Sequence, residues 1–334
     1  MKGHNRLFKM KSMMQKLAAK YPVPNTISTE AQALLGVPIE IDPSFKIPQS
    51  DREWEHFVQT VNASTAETAS QTINSAPIRI EQDTIGGTSV RHLVPDTVND
   101  NYNNHILINF HGGGYTMLGG ELSALEGIPL ALAGGFTVVA VDYRMPPKHP
   151  FPAAVDDGVA VYKALLENYP PENIAVFGTS AGGGLAASVC IAGRDQGLPL
   201  PAAAVLNTPW SDLEKNGDSY FTNAGVDPLL IGYDYAAGAM AKLYAGDNAL
   251  NHPLISPVNA DFKPGFPPSM LITGTRDLLL SCTVRLHRAL RAANIEADLH
   301  VFEAMWHGFS AVPEEKIAIA EAVAFITKHF DAEK

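Results

Sequence analysis

The segment Asn173-Ile-Ala-Val-Phe-Gly178-Thr-Ser180-Ala-Gly182-Gly-Gly184-Leu-Ala-Ala187 decides how the whole chain is read. The apolar run from Asn173 to Phe177 predicts a strand buried on both faces, and the Ala-rich run after Ser180 predicts a helix over 180–193. Between them, Gly178-Thr-Ser180-Ala-Gly182 has the form Gly-x-Ser-x-Gly, which in this strand-to-helix context holds a serine on a sharp, strained turn. Side chains at Gly178 and Gly182 would collide with the neighbouring strand and helix, so both glycines answer a steric need. Ser180 is therefore the candidate nucleophile, and the helix that follows directs its N-terminal amides toward it. The same residues carry a rival pattern, because Gly182-Gly-Gly184-Leu-Ala-Ala187 matches the Gly-x-Gly-x-x-Ala form of a dinucleotide loop. That reading needs an acid about 20 residues on, and Gln196 to Ser211 contains neither Asp nor Glu. No cofactor is expected.

Outward from this turn, short apolar runs alternate with helical ones, the order that builds a mainly parallel sheet covered on both faces. The predicted strands are His105 to Phe110, Phe136 to Asp142, Asn173 to Phe177, Ala202 to Asn207, Ser269 to Thr273 and Ala297 to Phe302. An antiparallel pair, Ile78 to Ile80 with Ser89 to Leu93, is expected around Gly86 and Gly87. Helices are predicted near 121–133, 151–168, 281–293 and 314–330. Residues 1–75 precede the sheet and residues 211–255 interrupt it. The expected organisation is therefore a catalytic α/β domain over 76–334, with a helical cap made from 1–75 and the 211–255 insertion, above the strand ends where α/β sheets place their sites.

Two more strand ends carry chemistry. The strand ending at Phe110 leads into His111-Gly112-Gly113-Gly114-Tyr115, a loop whose backbone N–H groups an anionic oxygen can approach closely. Such a loop can form part of an oxyanion hole, joined by the N–H of Ala181, the residue after the nucleophile, while His111 and Gly112 support the loop. No Gly-Lys-Ser/Thr follows, which argues against a phosphate loop. Among eleven histidines, His307 stands in a loop after the last strand and before the last helix, the correct end of the sheet for a general base. Asp277 follows Ser269-Met-Leu-Ile-Thr-Gly274 and is the candidate for orienting that histidine. Asp212, Asp227 and Asp234 lie in the insertion, where surface or capping roles are expected. Asp142, Asp156 and Asp157 are candidates for partnering the glycine loop. Tyr115, Trp210 and Leu213, with Leu118 and Phe221, are candidates for an apolar substrate pocket.

Composition bounds the partners. With 46% hydrophobic and 18% charged residues the chain is expected to fold, and a net charge of −11 disfavours nucleic acid, anionic membrane and polyanionic substrates. Cys190 and Cys282 have no pairing or metal-ligand spacing, so neither a structural disulfide nor a metal site is expected. No run reaches the ~20 apolar residues of a membrane span. The first 20 residues are basic and acid-free, with scattered apolar residues that read as a solvated helix face, and a cytoplasmic location is the default expectation.

These motifs resemble those of the hormone-sensitive-lipase-like family of bacterial esterases, with the α/β-hydrolase fold. The resemblance spans roughly residues 80–330. It rests on His111-Gly-Gly-Gly114, Tyr143-Arg144, His149-Pro-Phe-Pro-Ala-Ala154-Val-Asp-Asp157, Gly178-Thr-Ser-Ala-Gly-Gly183, Thr208-Pro-Trp210-Ser-Asp212-Leu213, Asp277 and His307-Gly308. Its Gly-Thr-Ser-Ala-Gly form is similar to one of the family's two main branches. It implies hydrolysis of small esters with short acyl chains by a Ser180-His307-Asp277 triad, with the amides of Gly113, Gly114 and Ala181 binding the oxyanion, and without a cofactor. Proteins of this kind are commonly dimers, so the resemblance also admits a homodimer. Where the family has Leu-Ala-Pro-Glu after Tyr-Arg, this chain has Met145-Pro-Pro-Lys148, which exchanges an acid for a base and puts that glutamate's ion pair in doubt. Two alternatives keep the same residues: a lactone hydrolase or sugar or aryl acetyl esterase with the same triad, and a non-catalytic small-ligand receptor on the same fold, against which the presence of His307 counts.

Overall fold

The computed structural model describes residues 21–39 and 44–330. The basic segment at the start of the chain lies outside them. Among the described residues, eight strands form one sheet: β1 (Ile78–Ile85), β2 (Thr88–Pro95), β3 (Ile106–Phe110), β4 (Thr137–Val141), β5 (Ile174–Thr179), β6 (Ala203–Asn207), β7 (Ser269–Gly274) and β8 (Ala297–Phe302). Their order across the sheet is β1-β2-β4-β3-β5-β6-β7-β8. The pairs β1 with β2 and β2 with β4 are antiparallel, and all later pairs are parallel. Every predicted strand is present.

The near-continuous apolar sequence of the central strands reflects burial on both faces. In β3, Ile106, Ile108 and Phe110 join one core cluster with Val155, Leu185 and Val189, while Leu107 joins the other with Ile128, Ala322 and Phe325. Helices Ala153–Leu165 and Ala181–Asp195 thus cover one face, and Gly127–Gly134 and Pro313–Phe330 the other. β8 departs from the expected pattern. It is an edge strand, and only Ala297 along it is buried.

The predicted helix over 121–133 divides into a 3₁₀ turn, Gly120–Ala124, and the helix Gly127–Gly134. Leu125 and Glu126 stand at the break, where the Glu126 carboxylate reaches the Gly112 amide.

A helical cap region is inserted between β6 and β7. It contains the short helix Ser219–Thr222, a π-helical turn at Tyr233–Ala237 and the helix Gly238–Ala245. The N-terminal side meets this region through Phe45, which also packs edge-on against Phe57 of the long helix Asp51–Ser75. Phe45 stacks on Tyr235 with centroids 4.5 Å apart, and Asn62 Oδ1 accepts the Leu118 N–H at 2.9 Å. The earlier helix Thr29–Leu35 behaves differently: Ile27 and Ala31 are buried in the cluster that contains Trp306 and Val312, and the Ser28 hydroxyl and amide both donate to Glu314. Among the described residues, no helix is long and apolar enough to cross a membrane.

Candidate active site

Ser180 sits between β5 and the helix Ala181–Asp195 at φ 58°, ψ −121°. This positive φ is costly for a residue with a side chain, and the surroundings impose it. The Ser180 amide donates to Asn207 O at 2.9 Å, and its carbonyl accepts from Gly184 and Trp210. The flanking glycines are required by contact. A Cβ on Gly178 would run into the Gly182 carbonyl, and one on Gly182 would run into the carbonyl of Phe110.

The parallel register brings the neighbouring strand ends to this point. His307, in the loop after β8, places Nε2 2.8 Å from Ser180 Oγ and Nδ1 3.0 Å from Asp277 Oδ1. Asp277 is wholly buried yet fully satisfied, its Oδ1 also accepting the Leu279 N–H and its Oδ2 the Thr273 hydroxyl, both at 2.8 Å. The three residues named from the sequence thus form one hydrogen-bonded chain. Burial by itself would lower the His307 pKa. The charge and hydrogen bond of Asp277, with the charges of Asp227 and Glu126, outweigh that and leave it raised above 6.5.

The glycine loop lies beside the serine. Gly113 and Gly114 have φ of 99° and 62°, a region open to glycine. A Cβ on Gly113 would collide with the Met117 backbone, and one on Gly114 would meet Met240 Sδ at 2.6 Å. Among the described residues, the N–H groups of Gly113, Gly114 and Ala181 donate to no protein acceptor. Below the loop, His111 donates from Nδ1 to Gly112 O at 2.8 Å and stacks on Tyr143, whose hydroxyl donates to His111 O at 2.7 Å. Burial lowers the His111 pKa to about 4, so the ring is neutral at physiological pH. The departure at Met145-Pro-Pro-Lys148 leaves Arg144 bidentate on Asp157, and Asp142 accepts the Gly120 N–H.

A cavity of about 540 Å³ opens onto Ser180, His307, Gly113 and Gly114. Leu118, Leu130, Phe177, Leu229 and Ile272 are among its apolar walls. Among the described residues, Glu126 and Glu315 are the carboxylic acids that line it.

The proposed pocket wall requires correction. Tyr115, Trp210 and Leu213 do not line this cavity and are at most 3% exposed. Tyr115 stacks on Tyr244 at 3.8 Å, and Trp210 Nε1 donates to the Tyr220 hydroxyl at 3.0 Å. They are the packing that supports the elbow, because Gly184 brings the helix against the Trp210 carbonyl and the Tyr115 hydroxyl. Phe221 is exposed beneath Lys215, and only Leu118 of that group reaches the cavity.

Two acids beside the site, the half-buried Glu126 and the wholly buried Asp227, carry roles that the sequence does not mark. Glu126 shows no motif, and its role depends on the chain break before it. Asp227 caps its own turn, one of the two roles expected of it, but it is wholly buried. Of the other insertion acids, Asp212 is buried on Arg285 and Asp234 pairs with Lys215 at the surface.

A strained serine at the end of a central parallel strand, hydrogen-bonded through a histidine to an aspartate from the next strand ends, defines an α/β serine hydrolase. The chain belongs to the alpha/beta hydrolase fold family, whose model matches residues 107–311. Within that family it is an ester hydrolase of the bacterial hormone-sensitive-lipase type. An acetyl-hydrolase of Streptomyces hygroscopicus is 38% identical over 225 residues, covering 66% of this chain and 74% of that protein. The crystal structure of an esterase named E25 superposes with a TM-score of 0.88 at 36% identity, covering 92% of this chain and 96% of that one. An esterase from the bacterial hormone-sensitive lipase family gives 0.76 at 32% identity, covering 91% and 99%.

Proposed function

We propose that the chain hydrolyses small esters of short acyl chains, with Ser180 as nucleophile, His307 as general base and Asp277 as the residue that orients it. The observation that carries this reading is the continuous hydrogen-bonded path from Ser180 Oγ through His307 to Asp277, opening onto the cavity. His307 Nε2 takes the hydroxyl proton as Oγ attacks the carbonyl carbon, and Asp277 holds the tautomer in which Nδ1 carries a proton. The oxyanion then accepts the free N–H groups of Gly113, Gly114 and Ala181, with His111 and Gly112 holding that loop in place. Nε2–H returns its proton to the leaving alkoxide, and water repeats the sequence on the acyl-enzyme.

The cavity supports small, neutral substrates. Its walls are largely apolar, and the acids among them, Glu126 and Glu315, repel an anionic acyl group wherever they are ionised. The cap over it is formed by the insertion 211–255 together with Phe45 and the helix Asp51–Ser75, while the helix Thr29–Leu35 packs on the catalytic domain.

The test is a panel of p-nitrophenyl esters of increasing acyl length beside lactones and acetylated sugars, together with labelling by a fluorophosphonate probe. Short-chain esters are expected to be turned over fastest, and folded Ser180→Ala is expected to lose labelling and hydrolysis. Labelling that persists in folded Ser180→Ala refutes the nucleophile. Preference for long acyl chains over short ones refutes the short-chain assignment.

A further inference from the structure

Asp227 belongs to the insertion, 50 positions before Asp277 and 80 before His307, yet it touches the backbone of both of their loops. Its Oδ2 accepts the N–H of Leu278 at 2.8 Å and the N–H of His307 at 3.2 Å. Its Oδ1 accepts the N–H groups of Leu229 and Leu230, at 2.9 and 3.0 Å, within its own loop. The carboxylate is wholly buried and receives four backbone donors.

Other residues of the same segment hold the Asp277 loop without reaching the histidine. Asn223 Nδ2 donates to the carbonyls of Thr275 and Asp277, and Ser219 exchanges hydrogen bonds with Ser281 and donates to Leu278 O. Asp227 is the member of this contact that spans both loops.

We propose that Asp227 is a positioning residue for the ester hydrolysis: it fixes the backbone on which Asp277 and His307 are mounted, and so ties the seating of the cap to the geometry of the triad. This rests on the triad reading given above. The chemistry calls for a carboxylate in particular. All four partners are donors, and an asparagine in either orientation would turn an NH₂ group toward two of them, leaving buried N–H groups opposed by another donor. The same anion also acts on the imidazole. The charged groups facing His307 are Asp277, Asp227 and Glu126, and those facing Asp227 are His307 and Asp277. Asp227 therefore favours the protonated imidazole, and removing its charge shifts the acid limb of the rate profile to lower pH.

The test compares Asp227→Asn, Asp227→Ser and Asp227→Glu with the unaltered chain, using p-nitrophenyl acetate from pH 5 to 9 and circular-dichroism melts to establish folding. In the folded uncharged variants, kcat is expected to fall roughly ten- to a hundredfold, the scale of a small misplacement of reacting groups. KM should change far less, and the acid limb should move to lower pH. Asp227→Glu should keep the limb in place. A folded uncharged variant with unchanged kcat and an unmoved limb overturns the proposal. So does failure of both uncharged variants to fold, because Asp227 would then be a structural clamp alone. If Ser180→Ala loses labelling while the Asp227 variants behave as the unaltered chain, the triad stands and only the Asp227 role falls.

Discussion

The Glu126 carboxylate accepts the Gly112 N–H at 2.9 Å, and a Cβ on Gly112 would lie 3.0 Å from Glu126 Oε1 and 3.4 Å from the Ser180 Cβ. The first amide of the glycine run is thus taken up by a half-buried acid of the cavity wall, while the next two, from Gly113 and Gly114, remain free. One hydrogen bond separates the loop-holding amide from the proposed oxyanion donors.

Burial raises the Glu126 pKa to about 7, against the smaller opposing effects of the Gly112 and Thr179 hydrogen bonds and the His307 charge. Between an ordinary value of 4.5 and about 7, the folded chain holds a proton that the unfolded chain has released. Stability attributable to this group is therefore full below pH 4.5 and declines as pH rises through 7. Glu126→Gln keeps an acceptor for Gly112 and cannot ionise. Its melting temperature relative to the unaltered chain should rise between pH 5 and pH 8, by the equivalent of about 3 kcal/mol at full ionisation. Equal differences at the two pH values would refute the assignment.

His307 must be neutral to accept the serine proton, and its pKa lies above 6.5 because the acids around it outweigh its burial. Activity should therefore fall as pH drops, with the midpoint of the acid limb of kcat/KM above 6.5. A profile flat from pH 8 to pH 5, or a midpoint below 6.5, would contradict this. Asp277→Asn should cost on the order of 10⁴ in kcat at the pH optimum by favouring the wrong tautomer. Single-turnover hydrolysis of p-nitrophenyl acetate measures it.

The strands, the strand-to-helix turn and the three hydrogen-bonded residues were legible because each leaves a local mark. A strand buried on both faces is continuously apolar, and the close approach of Gly182 to Phe110 O excludes every residue but glycine. Asp277 and His307 could be located because parallel topology sends successive strand ends to one edge. The crossing of β4 to lie between β2 and β3 leaves no such mark, since both neighbours of a buried strand present the same backbone. Nor do the roles of Glu126 and Asp227, whose partners are backbone amides of distant segments. Aromatic residues beside a motif were read as a pocket wall, but proximity in sequence does not distinguish the side of an elbow that packs from the side that faces ligand.

That last distinction can be measured. Trp210 is buried against Tyr115 and Tyr220, whereas Leu229 is 60% exposed and lines the cavity from the cap region. Trp210→Phe loses the indole hydrogen bond and some packing, so it should lower stability by about 1–3 kcal/mol while leaving the ratio of kcat/KM for acetyl and butyryl esters unchanged. Leu229→Ala removes part of the cavity wall at an exposed position. It should change that ratio, by up to roughly tenfold for an apolar contact of this size, with little effect on the melting temperature. Denaturant titration and the two-ester comparison decide the matter. An altered chain-length ratio in Trp210→Phe, together with no change in Leu229→Ala, would return the pocket to the side of the elbow where the sequence had placed it.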